Sequence, residues 1–193
     1  MNLRVNEVFY SLQGEGARAG EPSIFVRLTG CDLACSFCDT EFESGKVMDV
    51  EGLLGYIAKW PCKWIVWTGG EPSLQLTIEI VKFFSNHGYK QAVETNGNNK
   101  LPEGLDWVAC SPKVAEHVLA KNFPDGVHEL RYVRHAGQLD VPNPSIKAQV
   151  KFLSPRFNGD RLDQENLQHC IMLCLRNPEW RLSLQTHKLT KVL

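Results

Sequence analysis

The chain has 193 residues, 43% of them hydrophobic and 22% charged, with a formal net charge of −1. This describes one domain over residues 1–193 with room for a substantial core, and the near-neutral balance leaves no electrostatic footprint for nucleic acid or an anionic membrane. No run reaches the length of a transmembrane helix, residues 1–7 lack the apolar core of a signal peptide, and seven cysteines in no disulfide pattern suit a reducing compartment, so a cytoplasmic protein is expected.

A β-rich run, a polar loop and a helical pattern recur along the chain. Residues 23–28 predict a strand, followed by a loop that carries three cysteines. Residues 49–60 read as a helix and residues 63–67 as the next strand. Residues 73–87 place Leu76, Ile80, Phe83 and Phe84 at helical spacing, closed by Gly88. Strands are expected at residues 91–94, 107–110, 129–133, 147–153 and 181–185, with one more helix over about 163–176 that Pro178 stops.

Alternation of this kind implies βαβ units and mainly parallel strands. The polar motifs fall where strands end: Thr29-Gly30-Cys31, Thr68-Gly69-Gly70-Glu71-Pro72, Glu94-Thr95-Asn96-Gly97, Ser111-Pro112-Lys113, Ser154-Pro155 and Gln185-Thr186-His187. Parallel α/β barrels build their active sites from loops at the carboxyl ends of strands. A full eight-unit barrel needs about 250 residues, so an incomplete TIM-like barrel of (βα)6 type, open on one side, is expected. An open doubly wound sheet is the alternative.

Cys31, Cys35 and Cys38 stand in the run Cys31-Asp32-Leu33-Ala34-Cys35-Ser36-Phe37-Cys38-Asp39-Thr40. Three thiolates on one short loop can hold three corners of a cubane iron–sulfur cluster and leave the fourth iron open to a small molecule. Structural clusters normally take four cysteines. On spacing alone two other readings stay open, incidental thiols and structural zinc. A structural zinc site is closed and four-coordinate, and no fourth ligand sits at finger-like spacing, Cys62 being isolated.

In Thr68-Gly69-Gly70-Glu71-Pro72 two glycines stand where backbone must approach something closely. Glu71 and the turn's carbonyls offer acceptors for an ammonium group. Alone, the run also reads as a tight strand-to-helix turn. Downstream of Cys-x3-Cys-x2-Cys, this pairing resembles the radical S-adenosylmethionine (SAM) superfamily. The resemblance implies a [4Fe-4S] cluster on Cys31, Cys35 and Cys38, SAM bound by Gly69, Gly70 and Glu71, and adenine against the backbone of Phe37. Glu94 and Asn96 form part of a strong turn signal, and could equally hold ribose hydroxyls. Ser111, Pro112 and Lys113 are either strand-end punctuation or a hydroxyl and an ammonium reaching the SAM carboxylate. The resemblance favours the cofactor reading of both.

The run Tyr10-Ser11-Leu12-Gln13-Gly14-Glu15-Gly16, then Phe25-Val26-Arg27-Leu28-Thr29-Gly30-Cys31 and Cys38-Asp39-Thr40, and finally Leu184-Gln185-Thr186-His187-Lys188, resembles the 7-carboxy-7-deazaguanine synthase family across essentially the whole chain. The resemblance implies a radical ring contraction: 6-carboxy-5,6,7,8-tetrahydropterin becomes 7-carboxy-7-deazaguanine with loss of ammonia, on the route to queuosine and other 7-deazapurines. SAM is regenerated in each turnover. A pterin's amide and amino edge wants mixed donors and acceptors, which Leu12, Gln13, Gly14 and Glu15 would supply. Arg27, at an inward strand position, suits the substrate carboxylate as a forked donor. Thr68, Gln185, His187 and the terminal carboxylate of Leu193 are further implied substrate contacts, and Thr40 is the implied Mg²⁺ ligand. A flavodoxin-like or other one-electron donor and a homodimer also follow from the resemblance.

Many relatives carry Leu-Gln-Pro where this chain has Leu153-Ser154-Pro155, so the SAM contact at Ser154 has a shorter reach or passes through water. Cys170 and Cys174 share an apolar helical stripe and read as core. Cys110 reads as a buried strand-end residue, and the basic group Arg131, Arg134 and His135 as a solvated face in preference to a contact for phosphate or a partner. Two alternatives accompany the synthase: a glycyl-radical activase acting on a protein, and a non-catalytic zinc-binding module.

Overall fold

The computed structural model describes residues 1–35 and 41–192. Phe37, Cys38, Thr40 and Leu193 therefore lie outside the described residues. In chain order the strands and helices are β1 (Asn2–Leu12), β2 (Pro22–Leu28), β3 (Lys46–Asp49), α1 (Val50–Ile57), β4 (Trp64–Gly69), α2 (Ile78–Asn86), β5 (Lys90–Thr95), β6 (Trp107–Cys110), α3 (Glu116–Asn122), β7 (Val127–Arg134), β8 (Ala148–Pro155), α4 (Gln164–Arg176), β9 (Trp180–Leu182) and α5 (Thr186–Thr190). None of these helices is long and apolar enough to cross a membrane. The chain divides into two compact units, Met1–Ser11, Pro22–Thr95 and Asn99–Val108 in the first, and Leu12–Glu21, Asn96–Asn98 and Ala109–Leu193 in the second.

In the first unit the strand order is β3-β1-β2-β4-β5. β2, β4 and β5 are parallel, with Arg27 opposite Thr68 and Trp67 opposite Val93. One face carries the large core. Ile24, Val26, Ile65, Trp67 and Val93 pack there against Leu53 and Ile57 of α1 and Ile80 and Phe84 of α2. Indole and phenyl of Trp67 and Phe84 meet edge-to-face at 5.3 Å, and Trp67 Nε1 donates to Gln91 Oε1 at 3.0 Å, so the buried polar atom is satisfied. Truncating such a ring to Ala would cost about 3–5 kcal/mol. The opposite face carries a smaller apolar set of Phe9, Phe25, Val66 and Ala92, all from strands. Helices on one face only are the wall of a barrel; a doubly wound sheet is covered on both faces.

The second unit, which takes β6 from Ala109 onward, orders its strands β6-β7-β8-β9, every pair parallel. Leu153, Cys170, Leu173 and Trp180 form its core under α4, with Tyr132 and Cys174 against it, as the apolar stripe of α4 predicts. Burial pushes the Cys170 thiol up to about 12.

Several boundaries differ from expectation for physical reasons. β1 was not foreseen because its alternation slips: Leu3, Val5, Val8 and Tyr10 all join the helix-side core while Phe9 turns to the other face, so no single period of two spans it. The helix expected over residues 73–87 is a 3₁₀ turn at Pro72–Leu74 and then α2, because Thr77 caps Ile80 and starts a new helix. The last strand is shorter than residues 181–185: Ser183 still donates to Leu153 O at 3.0 Å, after which the chain turns and Gln185 heads α5. β8 runs two residues further than expected, which puts Ser154 on the strand itself.

Candidate cofactor and substrate residues

At the carboxyl edge of β2, β4 and β5, the cysteine loop leaves β2 at Thr29 and the Gly-Gly-Glu-Pro turn leaves β4. The two are stitched by backbone: Gly70 N donates to Leu28 O at 2.9 Å and Glu71 N to Gly30 O at 2.8 Å. Gly69 has φ +104°, and a Cβ on Gly70 would lie 1.8 Å from Gly30 O. Gly69 therefore approaches the end of β2 at Leu28, and Gly70 the start of the cysteine loop at Gly30. Gln75 Nε2 holds Thr29 O at 2.7 Å, and Asn99 Nδ2 holds Asp32 Oδ2 at 2.6 Å.

Cys31 and Cys35 are free and partly exposed. Burial raises the Cys31 thiol above its ordinary value, and the charges of Asp32, Glu71 and Cys35 add to the rise against a lowering backbone hydrogen bond at Leu33. A bound metal ion would hold the thiolate against that rise, with release of a proton. No three His, Cys, Asp or Glu side chains gather as a metal site among the described residues, and Cys38 lies outside them.

Glu71 is 1% exposed, and its Oε1 accepts from Ser73 N at 3.0 Å and Thr95 Oγ1 at 2.9 Å. That oxygen braces the turn, which leaves the turn's carbonyls as acceptors for an ammonium group. Arg27 and Thr68 are register partners, on the face of Phe25 and Val66, whose apolar cluster comes from strands alone among the described residues; continuing the β4–β5 register sets Glu94 beside Thr68. Arg27 is half-buried, 3.1 Å from Glu7 and over the Phe9 ring at 4.9 Å.

In the second unit Lys113 N donates to Asn96 O at 3.0 Å and Lys113 Nζ to Ser111 O at 3.3 Å, which brings these two motifs together. Asn96 Oδ1 accepts from Asn98 N at 2.8 Å, an Asx turn of the kind that its Asn-Gly pair predicts. Ser154 is 2% exposed, and its Oγ makes no hydrogen bond among the described residues. An orphaned buried hydroxyl costs free energy and suits a ligand contact.

The segment from Gln13 to Gly16 packs on the carboxyl-terminal residues. Leu12, which precedes it, is exposed. Thr186 N and Oγ1 both donate to Gly14 O, at 2.9 and 2.8 Å. A Cβ on Gly14 would lie 2.0 Å from Nδ1 of His187. Glu15 receives Gln185 Nε2 at 3.0 Å on Oε1 and Arg131 Nε at 3.1 Å on Oε2. The other arm of Arg131 reaches Glu129 Oε1 at 3.0 Å, while Glu129 Oε2 accepts from Ala17 N at 3.0 Å. Arg131 does not belong to a solvated face: it is 6% exposed between two carboxylates, because its place on β7 points it with Glu129 away from the α4 side.

Comparison with known proteins decides the family. The chain is 38% identical over 193 residues to the 7-carboxy-7-deazaguanine synthase of Bacteroides thetaiotaomicron, covering 100% of both. It is 37% identical over 215 residues to that of Nitratidesulfovibrio vulgaris, with 97% of this chain and 98% of the relative covered. The chain belongs to the 7-carboxy-7-deazaguanine synthase family. Its fold matches the crystal structure of QueE from Escherichia coli, with a TM-score of 0.75, 24% identity and coverage of 95% of this chain and 94% of that one. The expected mainly parallel α/β fold of open TIM-like type is borne out by that likeness. No family model matches the chain.

Within this synthase chain, sequence reasoning missed Glu129, Ser183, Gln75 and Asn99. Ser183 Oγ accepts from Gly16 N at 2.9 Å. None of these residues stands in a motif; the one available signal was the spacing of Glu129 and Arg131, which puts both on one face of a strand.

Proposed function

We propose that this chain converts 6-carboxy-5,6,7,8-tetrahydropterin to 7-carboxy-7-deazaguanine and ammonia as a radical SAM lyase of queuosine and 7-deazapurine biosynthesis. The observation that carries the reading is the end-to-end identity with the family, supported by a cysteine loop locked to a Gly-Gly-Glu-Pro turn through Gly30 O. Cys31, Cys35 and Cys38 would hold a [4Fe-4S] cluster. The donors fit: the two described thiols are free and reach solvent. The carbonyls of the 68–71 turn, Glu94, Asn96, Ser111, Pro112, Lys113, Ser154 and the Phe37 backbone would hold SAM. Bound there, the cluster and SAM would supply the hydrogen-atom chemistry at C6 of the pterin.

The chain's own residues position the reactants and exclude water. Arg27 would fork onto the substrate carboxylate, and Thr68 opposite it would touch the ring. Leu12, Gln13, Gly14 and Glu15 would read the amide and amino edge, with Gln185, His187 and Leu193 closing over it. Thr40 is proposed on the resemblance as the protein ligand of Mg²⁺, which keeps several waters and needs few protein ligands. A flavodoxin-like electron donor, a homodimer and a cytoplasmic location complete the reading.

The test is anaerobic reconstitution with iron and sulfide, then SAM, Mg²⁺, a reductant and 6-carboxytetrahydropterin, read by mass spectrometry. Many 7-carboxy-7-deazaguanine molecules per SAM are expected. SAM cleavage without any deazapurine would overturn the substrate and turn the search to a protein glycyl site.

A further inference from the structure

We infer that Arg131 and Glu129 are positioning residues that aim the Glu15 carboxylate at the amino edge of the pterin and so make the chain select a 2-amino ring over a 2-oxo ring. The inference rests on the substrate reading above. A carboxylate has about four acceptor positions, two on each oxygen. In Glu15 one position on Oε1 is taken by Gln185 and one on Oε2 by Arg131. Among the described residues each oxygen keeps a second position. A pterin offers two parallel donors, N3–H and one N–H of the 2-amino group, which match one acceptor on each oxygen.

The charges favour the same ligand. One guanidinium lies between two carboxylates, so the trio carries a formal charge of −1. An edge made only of donors meets that charge well. A 2-oxo ring turns an acceptor towards it, and like partial charges repel at low dielectric.

The aim is held from below. Glu129 is 2% exposed and is fixed by Ala17 N and by Arg131. Gly16, at φ +71°, gives it space that a Cβ would fill, 1.9 Å from Glu129 Oε1. Removing one member of a buried ion network leaves the others uncompensated, so Glu15 would swing out of line while its chemistry stays intact.

The experiment titrates 6-carboxypterin and its 2-oxo counterpart, 6-carboxylumazine, into reconstituted protein with SAM by calorimetry. Wild type should prefer the pterin by about 10- to 100-fold, the worth of a hydrogen bond to a charged group. Arg131→Gln and Glu129→Gln should shrink that preference to a few-fold, with iron content, SAM affinity and lumazine affinity unchanged. Arg131→Lys, which keeps the charge and loses the fork, should fall between, and it carries the test should Arg131→Gln fail to fold. Equal losses for both ligands, or an undiminished preference, would overturn the positioning role alone. A wild type that binds neither ligand, yet cleaves SAM, would overturn the substrate reading and this inference with it.

Discussion

The cysteine-loop region of the first unit and the Glu15 region of the second build binding groups by opposite means. Around Cys31 the work is done by backbone: two amides of the Gly-Gly-Glu-Pro turn donate to carbonyls at the end of β2 and the start of the loop, and Gly70 has no room for a single added carbon. Around Glu15 it is done by side chains, in a chain of contacts from Gln185 through Glu15 and Arg131 to Glu129. Backbone stitching suits a cofactor common to many chemistries, since it leaves side-chain identity free. A charge network suits a substrate, since each link can be changed to suit a different ring.

The largest effect that would break this contrast lies at the thiols. Cys31→Ala with Cys35→Ala should abolish iron binding and turnover while the far-ultraviolet circular dichroism stays unchanged, because both side chains are partly exposed. A double variant that still carries iron would remove the loop from the cofactor site.

Two glycines sharpen the comparison. Gly70→Ala sets a methyl group against a backbone carbonyl that cannot rotate away, at about 1–3 kcal/mol of overpacking, and should abolish SAM binding because the whole turn must shift. Gly16→Ala meets a side-chain end, Glu129 Oε1, with about 1–2 kcal/mol of left-handed strain. It should weaken pterin binding and leave SAM affinity unchanged. Denaturant midpoints and the two affinities, measured on both variants, decide it; loss of SAM affinity in Gly16→Ala would dissolve the distinction.

The same contrast governs what was legible in the sequence. The cofactor motifs are local, so their spacing showed in the chain; the helix capped by Asp163 starts and ends where expected, whereas the Thr77 cap, which begins α2 only at Ile78, was not read. α3 and α5 are short and have no side-chain cap, and gave no signal. Arg131 was misplaced because it pairs with Glu15, far earlier in the chain, as well as with Glu129 on its own strand face. Only the folded sheet supplies the register that joins the three. The amide of Gln185 donates to Glu15, a contact between distant parts of the chain that no local spacing signals.

The smallest expected effect concerns Glu41, an exposed carboxylate held as Glu15 is held, but by near neighbours. Ser44 Oγ donates to it at 2.7 Å, Ser44 N at 2.8 Å and Glu43 N at 2.7 Å, with Asn6 Nδ2 joining from β1. These bonds, led by the Ser44 hydroxyl, lower its pKa from 4.5 to about 2. The folded chain then binds fewer protons than the unfolded chain between those values, so stability rises with pH there. The contribution is complete above about 4.5 and is lost as pH falls through about 2. The thermal midpoint of wild type should exceed that of Glu41→Gln by a small, constant margin near neutral pH, small because the group is solvent-exposed. That margin should shrink below pH 4.5. A margin independent of pH would mean that shape, and not charge, holds this turn, and would separate Glu41 from the charge-based device at Glu15.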